Sequence, residues 1–105
     1  MEDCVSVACA TGSRDEAVTI ARTLVEERLA ACAQMFAIHS IYRWEGAIRS
    51  GDEWALNIKT RAAAAPLVVE RIRALHSYAL PEVAVTPIID GSPDYLKWVA
   101  ASVED

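Results

Sequence analysis

Residues 33–59 constrain the fold of this 105-residue chain more strongly than any other segment. From residue 33 onward the hydrophobic residues recur with a period of two, which is the period of a β-strand. A strand with two apolar faces has to be covered on both sides. Turn-forming residues at 50–52 and the renewed alternation after them predict a second strand, and therefore a long hairpin. One predicted face of the first strand holds Phe36, Ile38, Tyr42 and Trp44, and the other holds Met35, Ala37 and Ile41.

Strand and helix patterns alternate in the first third of the chain. Residues 4–10 form a short apolar run that is typical of a buried strand. Ser13 and Glu16 form a predicted capping box, in which each side chain accepts a hydrogen bond from the other residue's backbone amide. A helix is expected to follow. Its apolar face would consist of Ala17, Ile20, Ala21, Leu24 and Leu29.

The second half of the chain predicts two further helices and one more strand. Pro66 suits the first turn of a helix. This helix is expected to end at residues 76–78, because Pro81 disfavours helical geometry in the residue before it. Residues 83–89 have the pattern of a strand, and Ser92 is a candidate cap for a last helix.

The predicted order of elements is βαββαβ followed by a helix. This is the ferredoxin-like, split βαβ arrangement of the α+β class, and the length fits a single domain over residues 1–105. Both crossover helices would lie on one face of an antiparallel sheet and leave the other, apolar face open. Because a large exposed apolar patch usually marks an interface, we expect an oligomer.

Composition and charge exclude several classes of function. A formal net charge of -5 offers no basic surface for phosphates, which argues against a nucleic-acid partner. The three cysteines form no CxxC pair, which argues against a disulfide framework and against a single-chain zinc knuckle. No apolar run approaches the roughly 18 residues of a membrane helix. Glu2 and Asp3 stand where a signal peptide would be basic, so the expected location is cytoplasmic.

Five motifs along residues 5–99 resemble the CutA family of divalent-ion tolerance proteins. They are ERLAACAQ at 27–34, IYRWEGAI at 41–48, KTR at 59–61, LHSYALPE at 75–82 and PDYLKW at 93–98. The resemblance implies a ferredoxin-like fold and a homotrimer joined by sheet extension, similar to the PII signalling trimers. It also implies a non-enzymatic role in the response to divalent metal ions. Two alternatives stay open: a PII-like sensor of a small ligand, and a structural scaffold that acts through an unknown protein partner.

The same resemblance implies a site for copper or another divalent metal at Cys9 and His76. Copper-binding members have a cysteine at the position of Cys9 and a histidine pair whose second member matches His76, while Leu75 stands where the first would be. Thiolate and imidazole are good ligands for copper and zinc, but the loss of one ligand should weaken the site. Alternatively, Cys9 is a small buried hydrophobic residue and His76 caps a helix.

Cys32 is the third cysteine and lies in the ERLAACAQ motif. It is a candidate for a second metal ligand or a redox thiol. Its alternative role is packing at the point where the first helix meets the long strand, because no charged or ligating residue adjoins it in the sequence.

A second constellation predicts a cleft between subunits. In one interpretation this cleft binds a small anionic ligand through Lys59 and Arg61, since arginine presents a planar fork to carboxylate or phosphate. In the other, the same residues are aromatic anchors and ion pairs of a structural interface. The candidate residues are Tyr42, Trp44, Glu45, Lys59, Arg61, Tyr78 and Glu82.

Overall fold

The computed structural model describes residues 3–104, so residues 1, 2 and 105, and with them the expectation for Glu2, lie outside it. The strands are β1 (Cys4–Thr11), β2 (Cys32–Trp44), β3 (Ala47–Arg61) and β4 (Val83–Pro87). The helices are α1 (Arg14–Glu26), α2 (Ala65–Leu75) and α3 (Pro93–Ser102), with a 3-10 turn, Ala62–Ala64, before α2. The sheet is antiparallel, in the order β2-β3-β1-β4. The predicted α+β, ferredoxin-like fold is confirmed. None of these helices is long and apolar enough to span a membrane.

The core lies between one face of the sheet and the helices α1 and α2. Apolar residues three or four apart place one stripe of α1 against the sheet, as predicted. Leu29 differs from the prediction: α1 ends at Glu26, Arg28 takes a positive φ of 60°, and Leu29 packs on the core from the loop. The completely buried members include Val7, Ala17, Ile20, Leu24, Ile58, Val68 and Ile72.

The predicted capping box at the start of α1 is half formed. The Ser13 hydroxyl accepts a hydrogen bond from the Glu16 amide at 3.1 Å. The Glu16 carboxylate instead accepts from the backbone amide of Ser77, at 2.7 Å, and from its hydroxyl, at 3.1 Å. Glu16 therefore ties the start of α1 to the segment that follows α2.

The turn of the β2–β3 hairpin is not where the sequence suggested. Residues 50–52 lie within β3, where Gly51 pairs with Ser40, so the predicted turn is wrong. The chain reverses at Glu45 and Gly46, whose φ angles are 51° and 78°. Two consecutive positive φ angles are the pattern of a type I′ turn, whose twist matches that of the flanking strands. Gly46 adopts this conformation without strain, and Glu45 does so at a cost.

We expect Glu45→Asn to raise the free energy of unfolding by about 0.5–1 kcal/mol, because asparagine tolerates the left-handed region better than glutamate. Denaturant unfolding at fixed protein concentration measures the change. Glu45→Ala is the matched control, because it removes the same charge and keeps the Cβ strain. An equal gain in both variants would contradict the conformational explanation.

The hairpin projects beyond the body of the protomer. The principal extents are 44 × 25 × 21 Å, and the radius of gyration of 14.2 Å exceeds the roughly 13 Å of a compact chain of this length. All residues in 41–50 are exposed. Ile41 is 73% exposed and Ile48 69%. These two share one face of the hairpin, because Ile41 lies opposite Ser50 and Arg43 lies opposite Ile48.

The sheet face opposite α1 and α2 is only partly open. At one end α3 covers it, with Leu96, Val99 and Val103 packed near Cys4 and Ala31. Toward the hairpin no helix of residues 3–104 covers this face, and Phe36 there is exposed. The expected open face is therefore confined to the hairpin half of the sheet.

Candidate functional site

His76 is a buried hydrogen-bond bridge. It caps the end of α2, with its backbone amide donating to Ile72 O at 2.9 Å. Its side chain is 0% exposed. Nε2 lies 2.7 Å from Ala10 O, and Nδ1 lies 3.1 Å from the Tyr78 amide nitrogen. Since a carbonyl oxygen only accepts, we assign the proton to Nε2, which donates to Ala10, while Nδ1 accepts from Tyr78.

Cys9 approaches the same carbonyl group from β1. Its Sγ is 3.9 Å from Ala10 O, and the residue is 1% exposed within the core. Burial, followed by the charges of Glu82 and Glu16, raises the pKa of the Cys9 thiol from 9.0 to about 12. Cys9 and His76 therefore converge on one oxygen atom, and the thiol is protonated at neutral pH.

The Cys9–His76 pair, as folded, does not fit a metal ion. A metal ligand has to be deprotonated and needs a free lone pair. Without a metal the Cys9 thiol is protonated and both His76 nitrogens are engaged with the backbone, so an ion would have to displace this proton and these hydrogen bonds. Leu75, at the position of the missing ligand, packs against the core. Between residues 3 and 104 no group of three His, Cys, Asp or Glu side chains is placed to hold an ion.

Cys32 lies on the opposite face of the sheet from this pair. It is opposite Lys59, and its Sγ is 3.5 Å from the hydroxyl of Tyr95 on α3. This contact, together with burial, raises the pKa of Tyr95 to about 12. Cys9 therefore lies in the core under α1 and α2, whereas Cys32, at the start of β2, contacts α3.

A cleft of about 660 Å³ lies at the base of the hairpin, beside the segment that follows α2. We call it the hairpin cleft. Aromatic rings and two carboxylates dominate its lining: Tyr42, Trp44, Tyr78, Glu53 and Glu82. The Tyr78 hydroxyl donates to Glu53 Oε2 at 3.1 Å. Burial first, and then this contact with Glu53, raises the pKa of Tyr78 to about 12.

Gly12 allows Tyr78 to lie across the end of β1. A Cβ at this position would be 3.0 Å from the Tyr78 hydroxyl oxygen. The preceding residue pair, His76 and Ser77, is fixed by hydrogen bonds to Ala10 and Glu16. The wall of the cleft therefore depends on contacts between segments far apart in the sequence.

The structure brings together four of the seven residues predicted to form a cleft: Tyr42, Trp44, Tyr78 and Glu82. Lys59 lies on the same face of β3 as Glu53 but six residues along the strand, a distance of about 20 Å. Its Nζ donates to Gln34 Oε1 at 3.3 Å.

The other two predicted residues also lie outside the hairpin cleft. Arg61 is opposite Cys4 at the far end of β3, and Glu45 is in the hairpin turn. Glu53 was not predicted. The alternation of β3 could have indicated it once the turn was placed at residues 45–46, because it then falls opposite Ile38.

We expect the stability of the fold to fall between pH 9 and pH 12, in part through Cys9. The unfolded chain releases the Cys9 proton near its ordinary pKa of 9.0, whereas the folded chain holds it to about 12. The contribution of this group is complete below pH 9 and is lost as the pH rises toward 12. Urea unfolding at several pH values measures the slope. Cys9→Ala should make the alkaline slope shallower, and an unchanged slope would contradict the assignment.

Comparison with known proteins identifies relatives over most of the chain. The family model of the CutA1 divalent ion tolerance protein matches residues 5–102. The divalent-cation tolerance protein CutA of Thermus thermophilus is 46% identical over 88 residues, which cover 83% of this chain and 85% of that protein. The protein of the same name from Archaeoglobus fulgidus is 39% identical over 92 residues, covering 88% and 90%.

Solved structures agree with the sequence match. A structure described as the periplasmic divalent cation tolerance protein CutA from Archaeoglobus fulgidus has a TM-score of 0.94 at 36% identity, covering 96% of this chain and 99% of that one. The Thermus thermophilus protein has a TM-score of 0.92 at 41% identity, covering 99% and 100%. CutA1 from Oryza sativa has a TM-score of 0.95 at 31% identity, covering 99% and 96%. This chain therefore belongs to the CutA1 family of divalent ion tolerance proteins.

Proposed function

We propose that this chain acts in the tolerance of divalent cations, as a non-enzymatic homotrimer. The observation that supports this role most directly is the family match over residues 5–102. This chain covers 85% and 90% of the length of two relatives named divalent-cation tolerance protein CutA. That family name describes tolerance of ions and no chemical reaction, which supports a role without catalysis.

The shape of the protomer supports the trimer. The hairpin projects from the body with Ile41 and Ile48 exposed, and such apolar surface usually marks an interface. The two edge strands, β2 and β4, present free backbone groups at opposite sides of the sheet. Pairing the edge of one protomer with the opposite edge of the next is a head-to-tail contact, and with a rotation of a third of a turn such a contact closes into a trimer.

The proposed role does not depend on copper bound by Cys9 and His76. A copper ion there would have to displace the His76 hydrogen bonds and deprotonate a thiol whose pKa is about 12. Titration calorimetry with Cu²⁺ on the purified protein tests this point. We expect the isotherm of Cys9→Ala to match that of the unchanged chain. A loss of copper binding in this variant would instead assign the metal site to Cys9.

Growth under metal stress tests the tolerance role itself. A bacterial host that lacks its own relative of this protein would carry either a vector that expresses the chain or the empty vector. Both strains would be grown at increasing concentrations of Cu²⁺, Zn²⁺ or Co²⁺. We expect the chain to raise the inhibitory concentration of at least one ion. Ile41→Asp with Ile48→Asp is the control for assembly and should remove the benefit. Identical growth with chain and vector for all three ions would contradict the role.

The hairpin cleft favours a second candidate function, the binding of a small ligand. Its volume of about 660 Å³ is within the range of small-molecule sites in proteins. A scaffold that acts only through a protein partner would need no such site, so ligand binding separates these two alternatives. The cysteines of residues 3–104 form no disulfide bond, which supports the cytoplasm as the proposed location, although the Archaeoglobus fulgidus relative is described as periplasmic.

A further inference from the structure

The hairpin cleft combines aromatic walls with negative charge. We propose that it binds a small organic cation of the alkylammonium class. This proposal rests on the second candidate function, the binding of a small ligand in this cleft. Its structural basis is the juxtaposition of three aromatic rings with two carboxylates: Tyr42, Trp44, Tyr78, Glu53 and Glu82.

The aromatic rings provide surface that attracts cations. The face of tryptophan or tyrosine binds an ammonium group within about 6 Å of the ring centre. Within the protomer Trp44, Tyr42 and Tyr78 are each half-buried, so part of each ring is accessible. In residues 3–104 the cation found over a ring is Arg14 over Trp54, and Trp54 does not line the cleft.

The two carboxylates have no cationic partner among residues 3–104. Glu53 accepts one hydrogen bond, from Tyr78, which leaves most of its lone pairs available. Glu82 makes no hydrogen bond or ion pair with another residue of the described chain. Lysine, arginine and histidine are missing from the described lining. Two negative charges therefore face the cleft without compensation.

Two groups on different elements respond to this negative charge. Burial raises the pKa of Tyr78 first, and Glu53 raises it further. Burial also raises the pKa of Cys9 on β1, with Glu82 as the next cause. The contributions of Glu53 and Glu82 to these shifts indicate a negative potential at the cleft, which agrees with the cationic ligand inferred from its lining.

Other ligand classes fit the cleft less well. An anion would face two like charges, and juxtaposed like charges disfavour binding. A hard divalent cation needs six or more oxygen ligands, whereas most of this lining is aromatic or aliphatic. No metal-ligating group of three is present in residues 3–104. An alkylammonium ion uses both the rings and the carboxylates.

Isothermal titration of the purified, assembled protein tests the proposal with a matched pair of probes. The diamine 1,4-diaminobutane and the diol 1,4-butanediol have nearly the same shape, but only the diamine is charged. We expect the diamine to bind at least about tenfold more tightly than the diol. Citrate serves as the anionic probe. Circular dichroism and light scattering verify that each variant is folded and assembled.

Variants locate the binding in the hairpin cleft. Glu53→Gln combined with Glu82→Gln should weaken diamine binding at least about tenfold. The glutamine at position 53 still accepts from Tyr78. Glu70→Gln on the surface of α2 makes the same kind of charge change outside the cleft and should leave the affinity unchanged. Trp44→Leu keeps an apolar wall without the ring and should weaken binding about threefold or more.

The outcomes separate the ligand class from the ligand-binding function. Equal binding of diamine and diol, or equal effects of the double variant and Glu70→Gln, would overturn the cationic assignment. Citrate binding in the cleft in place of the diamine would overturn it too, while the small-ligand function would stand. If none of the three probes binds, both are overturned. A structure of the assembled protein with a neighbouring subunit's arginine in the cleft would likewise overturn the proposal.

Discussion

Replacing His76 with leucine is expected to lower the free energy of unfolding by about 2–4 kcal/mol. Leucine fills similar space but offers no hydrogen bond, so the Tyr78 amide loses its bond to Nδ1 and the buried Ala10 carbonyl keeps only the long contact with the Cys9 thiol. An unsatisfied buried polar group costs about 1–3 kcal/mol. Urea unfolding at one fixed protein concentration and without added metal gives the value, since assembly makes stability depend on concentration.

Two further variants make the His76 result specific. His76→Gln can supply both a donor and an acceptor, so we expect it to recover part of the loss. His39→Leu is the matched control, because the His39–Asp52 pair is exposed and such pairs contribute about 1 kcal/mol or less. If metal-free His76→Leu were as stable as the unchanged chain, the bridging role would be contradicted and a ligand role for His76 would regain support.

Placing aspartate at both Ile41 and Ile48 is expected to convert the proposed trimer to single chains of 11.4 kDa. Full burial of an isoleucine contributes about 1.5–3 kcal/mol, and each trimer would bury both side chains in three copies. Aspartate in the same place would have to lose its hydration without a partner. Light scattering at micromolar concentration gives the mass directly.

The control for this assembly experiment is Val25→Asp with Leu67→Asp. Both residues are exposed apolar side chains on the helices, away from the hairpin, and the pair makes the same change in charge with a similar loss of hydrophobicity. We expect this variant to keep the mass of the unchanged protein. A hairpin variant that remains trimeric, or a helix variant that also dissociates, would contradict the proposed interface.

The order of elements and the length of the hairpin were predictable because both depend on local periodicity. The position of the hairpin turn was not. Gly46 and Gly51 each follow polar or charged residues, and both are turn signals. The choice between them depends on strand pairing, in which Met35 lies opposite Leu56 and both face the core. That pairing is a tertiary property, and it moves the turn by about five residues.

The candidate site, too, was predictable in part from the sequence. Tyr42, Trp44, Tyr78 and Glu82 lie together at the hairpin cleft of one protomer, while the predicted cleft between subunits stays a prediction. The cations expected beside them, Lys59 and Arg61, lie toward the other end of β3. The sequence could not predict this, because the order of Glu53 and Lys59 along the chain does not show which end of β3 meets the cleft.

The bridge from His76 to Ala10 spans 66 positions in the sequence and leaves no local pattern. A histidine next to a helix end has the same local sequence whether it binds a metal ion or a carbonyl group. Only the fold shows that Ala10 O and the Tyr78 amide occupy both ring nitrogens.

The position of β1 within the sheet has a consequence for folding during synthesis. β1 precedes all of its partners: Cys4 pairs with Arg61, and Val5 pairs with Pro87. The β2–β3 hairpin is local and can form early, whereas β1 stays unpaired on one side until β4 has left the ribosome. Contacts of such long sequence separation form slowly. We therefore expect nascent chains that end before residue 83 to remain sensitive to protease in β1, and full-length chains to become resistant.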